Sequence, residues 1–212
     1  MCFHLALSSD AQKLKNRYHA EFAGEDLFQP REEFNAFDHP LLPVVCQDAP
    51  EKILLFRWGM IPSWINDVDF AKRMRRNTLN ARSETADEKP SFRNALRFRR
   101  CLVPADAFYE WQHRGKEKIK YRIRCEQDIM SLAGIWDEWV HPVTRQKWTG
   151  FSILTTAANP LMEVIHNSKK RMPVILPPEK EKNWLDPSRR SGPRLQAFLG
   201  PYDEKKMHAE KV

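Results

Sequence analysis

Hydrophobic alternation is densest between residues 100 and 157. RCLVPADAFYEW, KYRIRC, IMSLAGIWDEWV and WTGFSILTTAA place β-branched and aromatic residues at strand spacing, and HRGKEK and HPVTRQK supply polar turns between them. In KYRIRC, Tyr121, Ile123 and Cys125 alternate with Arg122 and Arg124. The run predicts an antiparallel meander of long strands. Upstream, LLPVVCQ and KILLFRW read as two further strands joined by a DAPE turn, and RMPVIL as a late one. At the start of the chain Phe3, Leu5 and Leu7 alternate with His4, Ala6 and Ser8, as a half-buried strand should.

The helical signals are shorter. Ser8-Ser9-Asp10 read as caps for a basic helix reaching about Phe22. SFRNALRF after Pro90, NPLMEVIH, PPEKEKNWL with proline in its first turn, and SGPRLQAFL read as helices. Residues 24–40, with Gly24, Pro30 and Pro40, look like loop, and GMIPSWI is an aromatic, proline-bearing loop. The expectation is one α+β domain over residues 1–200, with an antiparallel barrel-like β-sheet core and peripheral helices. The charged tail YDEKKMHAEKV, within residues 201–212, is expected to fray.

Composition narrows the class. A chain of 212 residues that is 42% hydrophobic and 30% charged reads as soluble and globular. No apolar run approaches the roughly 18 residues a membrane span requires. The start of the chain lacks the charged and long apolar regions of a secretory signal. The four cysteines, Cys2, Cys46, Cys101 and Cys125, form no CxxC pair, which argues for reduced thiols and against a zinc site. The seven histidines show no HxxxH or HxxEH spacing. No metal or other cofactor is expected, and the compartment expected is the cytoplasm, on the nucleoid if the source is bacterial.

Charge adds a partner class. The formal net charge is +7 and the isoelectric point about 9.3. A basic balance points weakly to a polyanion. KRMRR (72–76) precedes NTLNARSE, RFRR (97–100) precedes a strand, and KKR (169–171) follows a histidine. Most such runs are solvated surface, but these three flank other unusual residues.

Four positions carry candidate chemistry. Cys2 directly follows Met1, so removal of Met1 would leave one residue with two nucleophiles, a thiol and an α-amine of pKa roughly 7.7–8.0. NAR, Asn80 to Arg82, lies in a stretch with neither helical nor strand period. Glu110 stands among Phe108, Tyr109 and Trp111, where an unpaired carboxylate is costly and its pKa is a candidate for upward tuning. His166 ends a helix before a basic loop. Each also has a structural reading. Cys2 can begin an ordinary strand, Asn80 can cap a turn, and Arg82 can pair with Glu84. Glu110 can face solvent, and His166 can answer a helix dipole.

In combination the motifs resemble a known family. WGMIPSW (58–64), NARSET (80–85) with KPSFR (89–93), RCLVPADAFYEW (100–111), LAGIWDEW (132–139), FSILTTAAN (151–159) and IH with RMPVIL (165–176) follow Cys2 in order. The sequence is identified as a member of the SRAP (SOS response-associated peptidase) family of abasic-site sensors. The resemblance implies the SRAP fold and a DNA-damage function. It also implies covalent capture of abasic sites in single-stranded DNA as a thiazolidine through Cys2, with self-reversal and a lyase side activity. It implies Asn80 near the Cys2 amine and opened sugar, Glu110 as acid and base, and His166 assisting ring opening and reversal. Arg82 would hold a phosphate, Trp58 and its loop would wedge against flanking bases, and Arg75, Arg76 and Arg171 would contact the backbone. The implied partners are abasic single-stranded DNA and the replication machinery, with the protein acting as a monomer. Two features depart from the family's pattern: Phe3 and His4 where members often carry glycine and arginine, and NSKK between His166 and Arg171. Two rival readings remain, an N-terminal-cysteine peptidase or amidohydrolase and a non-covalent single-strand-binding module.

Overall fold

The structure, a computed structural model, describes residues 2–189 and 192–212, with the backbone alone at positions 193 and 194. In chain order the strands are β1 (His4–Leu7), β2 (Glu21–Phe22), β3 (Arg31–Asn35), β4 (Leu41–Cys46), β5 (Ala49–Trp58), β6 (Asn80–Arg82), β7 (Arg100–Ala105), β8 (Ala107–Arg114), β9 (Glu117–Cys125), β10 (Met130–Val140), β11 (Lys147–Ala157), β12 (Arg171–Pro173), β13 (Ile175–Leu176) and β14 (Met207–Lys211). The helices are α1 (Ala11–Tyr18), α2 (Val68–Asn77), α3 (Arg93–Phe98), α4 (Pro160–Ile165), α5 (Pro178–Trp184) and α6 (Pro193–Gln196).

Strands β5, β4, β7, β10 and β11 pair in that order, and β11 returns to β5. The four antiparallel ladders and the one parallel β5–β11 seam close a five-stranded mixed barrel. Closure removes the exposed edges that an open sheet would leave. The seam is parallel, which the meander alone did not foretell, because β5 and β11 meet only after the chain has gone round the barrel. The barrel interior belongs to a core that includes Val44, Ile53, Trp58, Val103, Ile135, Phe151 and Ile153.

A second antiparallel sheet runs β14-β9-β8-β1-β3. It leaves the barrel at Asp106, between β7 and β8. The Asp106 carboxylate accepts from the backbone N–H and hydroxyl of Ser8 (2.6 and 3.0 Å) and of Ser9 (2.8 Å each). Ser8 and Ser9 therefore brace the joint between the sheets. Asp10 alone caps α1, accepting from the Lys13 N–H at 2.8 Å.

Several elements differ from the sequence expectation. Helix α1 ends at Tyr18, where His19 turns left-handed at φ 50°. Glu21–Phe22 instead forms β2, parallel to β5. The segment 24–40 contains β3 and two short 3-10 turns. NAR forms β6, parallel to β11. RMPVIL splits into β12 on β11 and β13 on β10. The tail expected to fray is ordered: β14 pairs with β9 from Met207↔Cys125 to Lys211↔Tyr121. Ion pairs of Glu210 with Arg122 and Arg124 cross this ladder. Of the segment SGPRLQAFL, α6 is described from Pro193, and Ser191 lies outside the described residues.

Candidate functional site

The start of β1, the β6 strand, the middle of β8 and the C-terminal end of α4 converge. β1 lies beside β8, with His4↔Tyr109 and Leu5↔Phe108 in register. Period-two alternation turns Phe108 and Glu110 to one face of β8, while Tyr109 and Trp111 take the other. Glu110 is 4% exposed, so it does not face solvent. The burial that was suspected from its aromatic neighbours is real, and it pushes the carboxyl up to about 7.

Cys2 is fully buried. Burial, reinforced by the Glu110 carboxylate, drives its thiol well above the ordinary cysteine range. At that position the sulfur is a neutral thiol. Asn80 reaches Cys2 from β6, its Nδ2 donating to the Cys2 carbonyl at 2.8 Å. The bond holds the backbone of residue 2 rather than its amine.

His166 caps α4 and is 6% exposed. Burial lowers its pKa to about 4, so the ring is neutral at physiological pH. Its Nδ1 lies 2.8 Å from the Arg171 carbonyl oxygen. A carbonyl can only accept, and this bond is much shorter than the 3.4 Å approach of the Arg171 N–H to the same nitrogen, so the ring proton is assigned to Nδ1 and a lone pair to Nε2. Nε2 faces Glu110 Oε2 at 3.8 Å. A carboxyl poised near neutral pH thus confronts a neutral imidazole that turns a lone pair toward it. The long loop after His166 is stitched down. The Asn167 side chain accepts from the His113 N–H (3.0 Å) and donates to its carbonyl (2.8 Å), while Gln112 Nε2 donates to the Val164 carbonyl at 2.9 Å.

Glu110 and His166 border a cleft of about 520 Å³ whose lining also includes Phe3, His4, Trp111 and Lys169, with Cys2 buried behind it. A larger cavity of about 750 Å³ lies between α1 and α5 and shares no residue with it. That second cavity carries an Arg17–Glu181 ion pair but none of the converging chemistry.

Two expected DNA contacts are corrected. Trp58 is fully buried, stacked on Phe151 at 6.1 Å with its Nε1 donating to the Leu79 carbonyl at 2.9 Å. It closes the barrel end and cannot stack on a base. The exposed aromatic of that loop is Trp64, 51% exposed. Its loop is pinned where Asp137 accepts from the Ser63 N–H (2.8 Å) and where Trp139 and Trp148 donate to the Ile65 and Gly59 carbonyls (2.6 and 3.0 Å). Arg171 is 7% exposed. Its guanidinium grips Glu84 at 2.5 and 2.9 Å and the Thr155 carbonyl at 2.7 Å, so it is a structural strut rather than a phosphate contact. Of the remaining arginines, Arg82 is exposed and only loosely paired, its Nε 3.8 Å from Glu84. Arg76 is exposed in the last turn of α2, and Arg75 lies half-buried with its guanidinium 4.9 Å from the Trp148 ring centre. The sequence assigned no role to Trp64 or Phe37, and it marked Phe3 and the NSKK segment that holds Asn167 only as departures from the family pattern. Trp64 stands inside the WGMIPSW motif, and Phe37 has no signal before its turn is folded.

Among the described residues no helix is long and apolar enough to cross a membrane, and no group of three or more His, Cys, Asp or Glu is placed to hold a metal ion.

The chain is similar to the abasic site processing protein YoqW of Bacillus subtilis, at 36% identity over 219 residues, covering 100% of this chain and 92% of that protein. It is similar to the abasic site processing protein HMCES of Xenopus tropicalis at 36% identity, covering 66% of this chain and 47% of that longer protein. Among solved structures, a protein from Bacteroides thetaiotaomicron superposes with a TM-score of 0.95 at 38% identity, covering 100% of this chain and 92% of that one. A protein from Bordetella bronchiseptica superposes with a TM-score of 0.84 at 27% identity, covering 100% and 99%. The family model described as SOS response associated peptidase (SRAP) matches residues 1–212, and the chain belongs to that family.

Proposed function

We propose that the protein processes abasic sites in single-stranded DNA by covalent capture through Cys2 once Met1 has been removed. The observation that carries this reading is the pairing of Glu110 and His166, 3.8 Å apart, with a carboxyl raised to about 7 beside Cys2. A lesion sugar opened to its aldehyde offers an electrophilic carbon. The neutral α-amine of Cys2 adds to it, and the carbinolamine must then lose its hydroxyl as water. Glu110, protonated in part near neutral pH, supplies that proton, and the carboxylate left behind can take one back. The Cys2 S–H then adds across the C=N bond, sulfur to carbon and proton to nitrogen, closing a five-membered ring. One water is released overall. A buried neutral thiol suits this step, since its proton is needed on the nitrogen. Ring closure within one residue has a high effective concentration. Reversal runs through the same acid and base, and an imine that escapes ring closure can cleave the strand by β-elimination.

Exposed Arg82 and Arg76, with Lys169 on the cleft, supply phosphate contacts, so non-covalent binding weakens with salt. Trp64 supplies a stacking face. Relatives whose names specify abasic site processing support the substrate class.

Intact-mass measurement before and after incubation with an abasic oligonucleotide tests this. The wild-type protein is expected to lack Met1 and to gain the strand mass minus one water, surviving heat and SDS. Cys2→Ala forms no ring. A wild-type protein that binds the strand without any mass gain supports the non-covalent module instead. Turnover of a peptide without an adduct supports the peptidase.

A further inference from the structure

We propose that Phe3 and Phe37 form a nucleobase-stacking subsite that seats one of the two bases flanking the captured sugar, an inference that rests on the single-strand reading above. Phe3 follows Cys2 directly, and its ring lines the same cleft as Glu110 and His166. Phe37 lies against it with ring centroids 4.9 Å apart and planes inclined by 40°. Phe37 is 44% exposed. Single exposed hydrophobic residues are ordinary. What sets this one apart is its contact with a cleft-lining ring and the rigidity of the turn that carries it.

That turn is braced from four directions. Asn35 Oδ1 accepts from the Phe37 N–H at 3.0 Å. The Ala36 N–H donates to the Phe3 carbonyl at 2.8 Å, tying the two aromatics' backbones together. His39 closes the turn in the left-handed region at φ 51° and donates its N–H to the Ala36 carbonyl at 3.1 Å. The His39 ring bonds the Trp58 carbonyl at 2.7 Å. An aromatic held out on a fixed turn loses little freedom when a flat partner arrives. The chemistry of that partner follows from the neighbourhood. Both rings are neutral and have no polar handle, so they offer a π-face and no hydrogen-bond readout. Lys118 and Lys169 line the same cleft and suit phosphates. A neutral planar face beside cations that suit a phosphate chain is the recognition pattern of a single-stranded nucleic acid, tolerant of base identity.

The test is fluorescence anisotropy with single strands carrying a tetrahydrofuran abasic analogue, which cannot open to an aldehyde. Each flanking nucleotide is in turn left intact or replaced by a second analogue. The wild-type protein is expected to lose about five-fold or more in affinity when the base on one side is removed, and little when the other is. Phe37→Ala loses a similar factor on the intact strand, with no further loss when that base is taken away. Phe37→Trp restores the dependence. Phe37→Ala that binds every strand like wild type, or that loses equally with and without the base, overturns the subsite. A parallel incubation of wild type with aldehyde-bearing abasic strands separates the two claims. Adducts there without any flanking-base dependence overturn the subsite alone, and no adduct overturns the capture reading on which it rests.

Discussion

Glu110 and His166 pull the stability of the protein in opposite directions as pH changes. The Glu110 carboxyl is raised by burial from an ordinary 4.5 to about 7. Between those values the folded chain holds a proton that the unfolded chain has lost, so stability falls as pH rises through that window. His166 is lowered by burial from 6.5 to about 4. Between those values the unfolded chain holds the extra proton, so stability rises with pH. The windows overlap from pH 4.5 to 6.5, where the two slopes oppose each other. Glu110→Gln removes one slope. The variant is expected to gain stability, relative to wild type, as pH rises from 4.5 to 7, and thermal melts at intervals across that range read the difference directly. A constant offset between the two proteins would mean that Glu110 titrates as an ordinary surface carboxylate. In the proposed mechanism the same substitution takes away the proton donor, and capture of abasic strands is expected to slow by roughly 10²–10⁴-fold.

The loop after α4 holds His166 in place by side-chain stitches to β8 rather than by its own regularity. Asn167 satisfies both the N–H and the carbonyl of His113, and Gln112 takes the Val164 carbonyl. Asn167 anchors the start of the loop, and Gln112 the last turn of α4, to the strand that carries Glu110. Asn167→Ala is expected to slow both capture and reversal several-fold and to alter the pH profile of capture, while affinity for an undamaged strand stays within two-fold. Parallel rate and anisotropy measurements decide it; equal losses in both would make Asn167 a mere fold contact. How far such elements could be read from sequence depended on what fixes them. Strands β9, β10 and β11 declared themselves, because long alternating runs between polar turns need no distant information. CLVPADAFYEW, however, read as one strand of a single meander, whereas it breaks at Asp106 into β7, paired with β10 in the barrel, and β8, paired with β9 in the second sheet. The short pieces β3, β6 and β14 did not. REEFN, NAR and MHAEK carry little alternation, and each becomes a strand only because an existing edge pairs with it. The same limit applied to Trp58 and Arg171. Residue type suggested stacking and phosphate binding, but which way a strand end faces is settled by the barrel and by Glu84, partners far away in the chain. Glu110 was legible because a carboxylate among three aromatics is anomalous in any setting.

At the scale of the whole molecule, the site depends on how tightly the barrel shuts. The seam joins the end of β5 to β11 at Gly150↔Arg57 and Phe151↔Trp58, and the Gly59 N–H donates to the Phe151 carbonyl at 2.8 Å. Gly150 permits that approach: a Cβ there would lie 2.4 Å from the Gly59 carbonyl oxygen and 2.8 Å from Trp148 Nε1. Neither neighbour yields easily, since Trp148 Nε1 itself donates to that carbonyl at 3.0 Å. A few residues further along, β11 carries β6 and with it Asn80, which holds Cys2. Prising the seam therefore strains the pinned Trp64 loop and the anchor of Cys2 together. Gly150→Ala is expected to destabilise the fold by about 1–3 kcal/mol and lower the melting temperature by roughly 2–12 °C. Gly200→Ala, whose added carbon meets nothing within 4 Å, serves as the control and should melt like wild type. If Gly150→Ala also melts unchanged, the seam can open by more than an ångström without cost, and barrel closure is not what places Asn80 against Cys2.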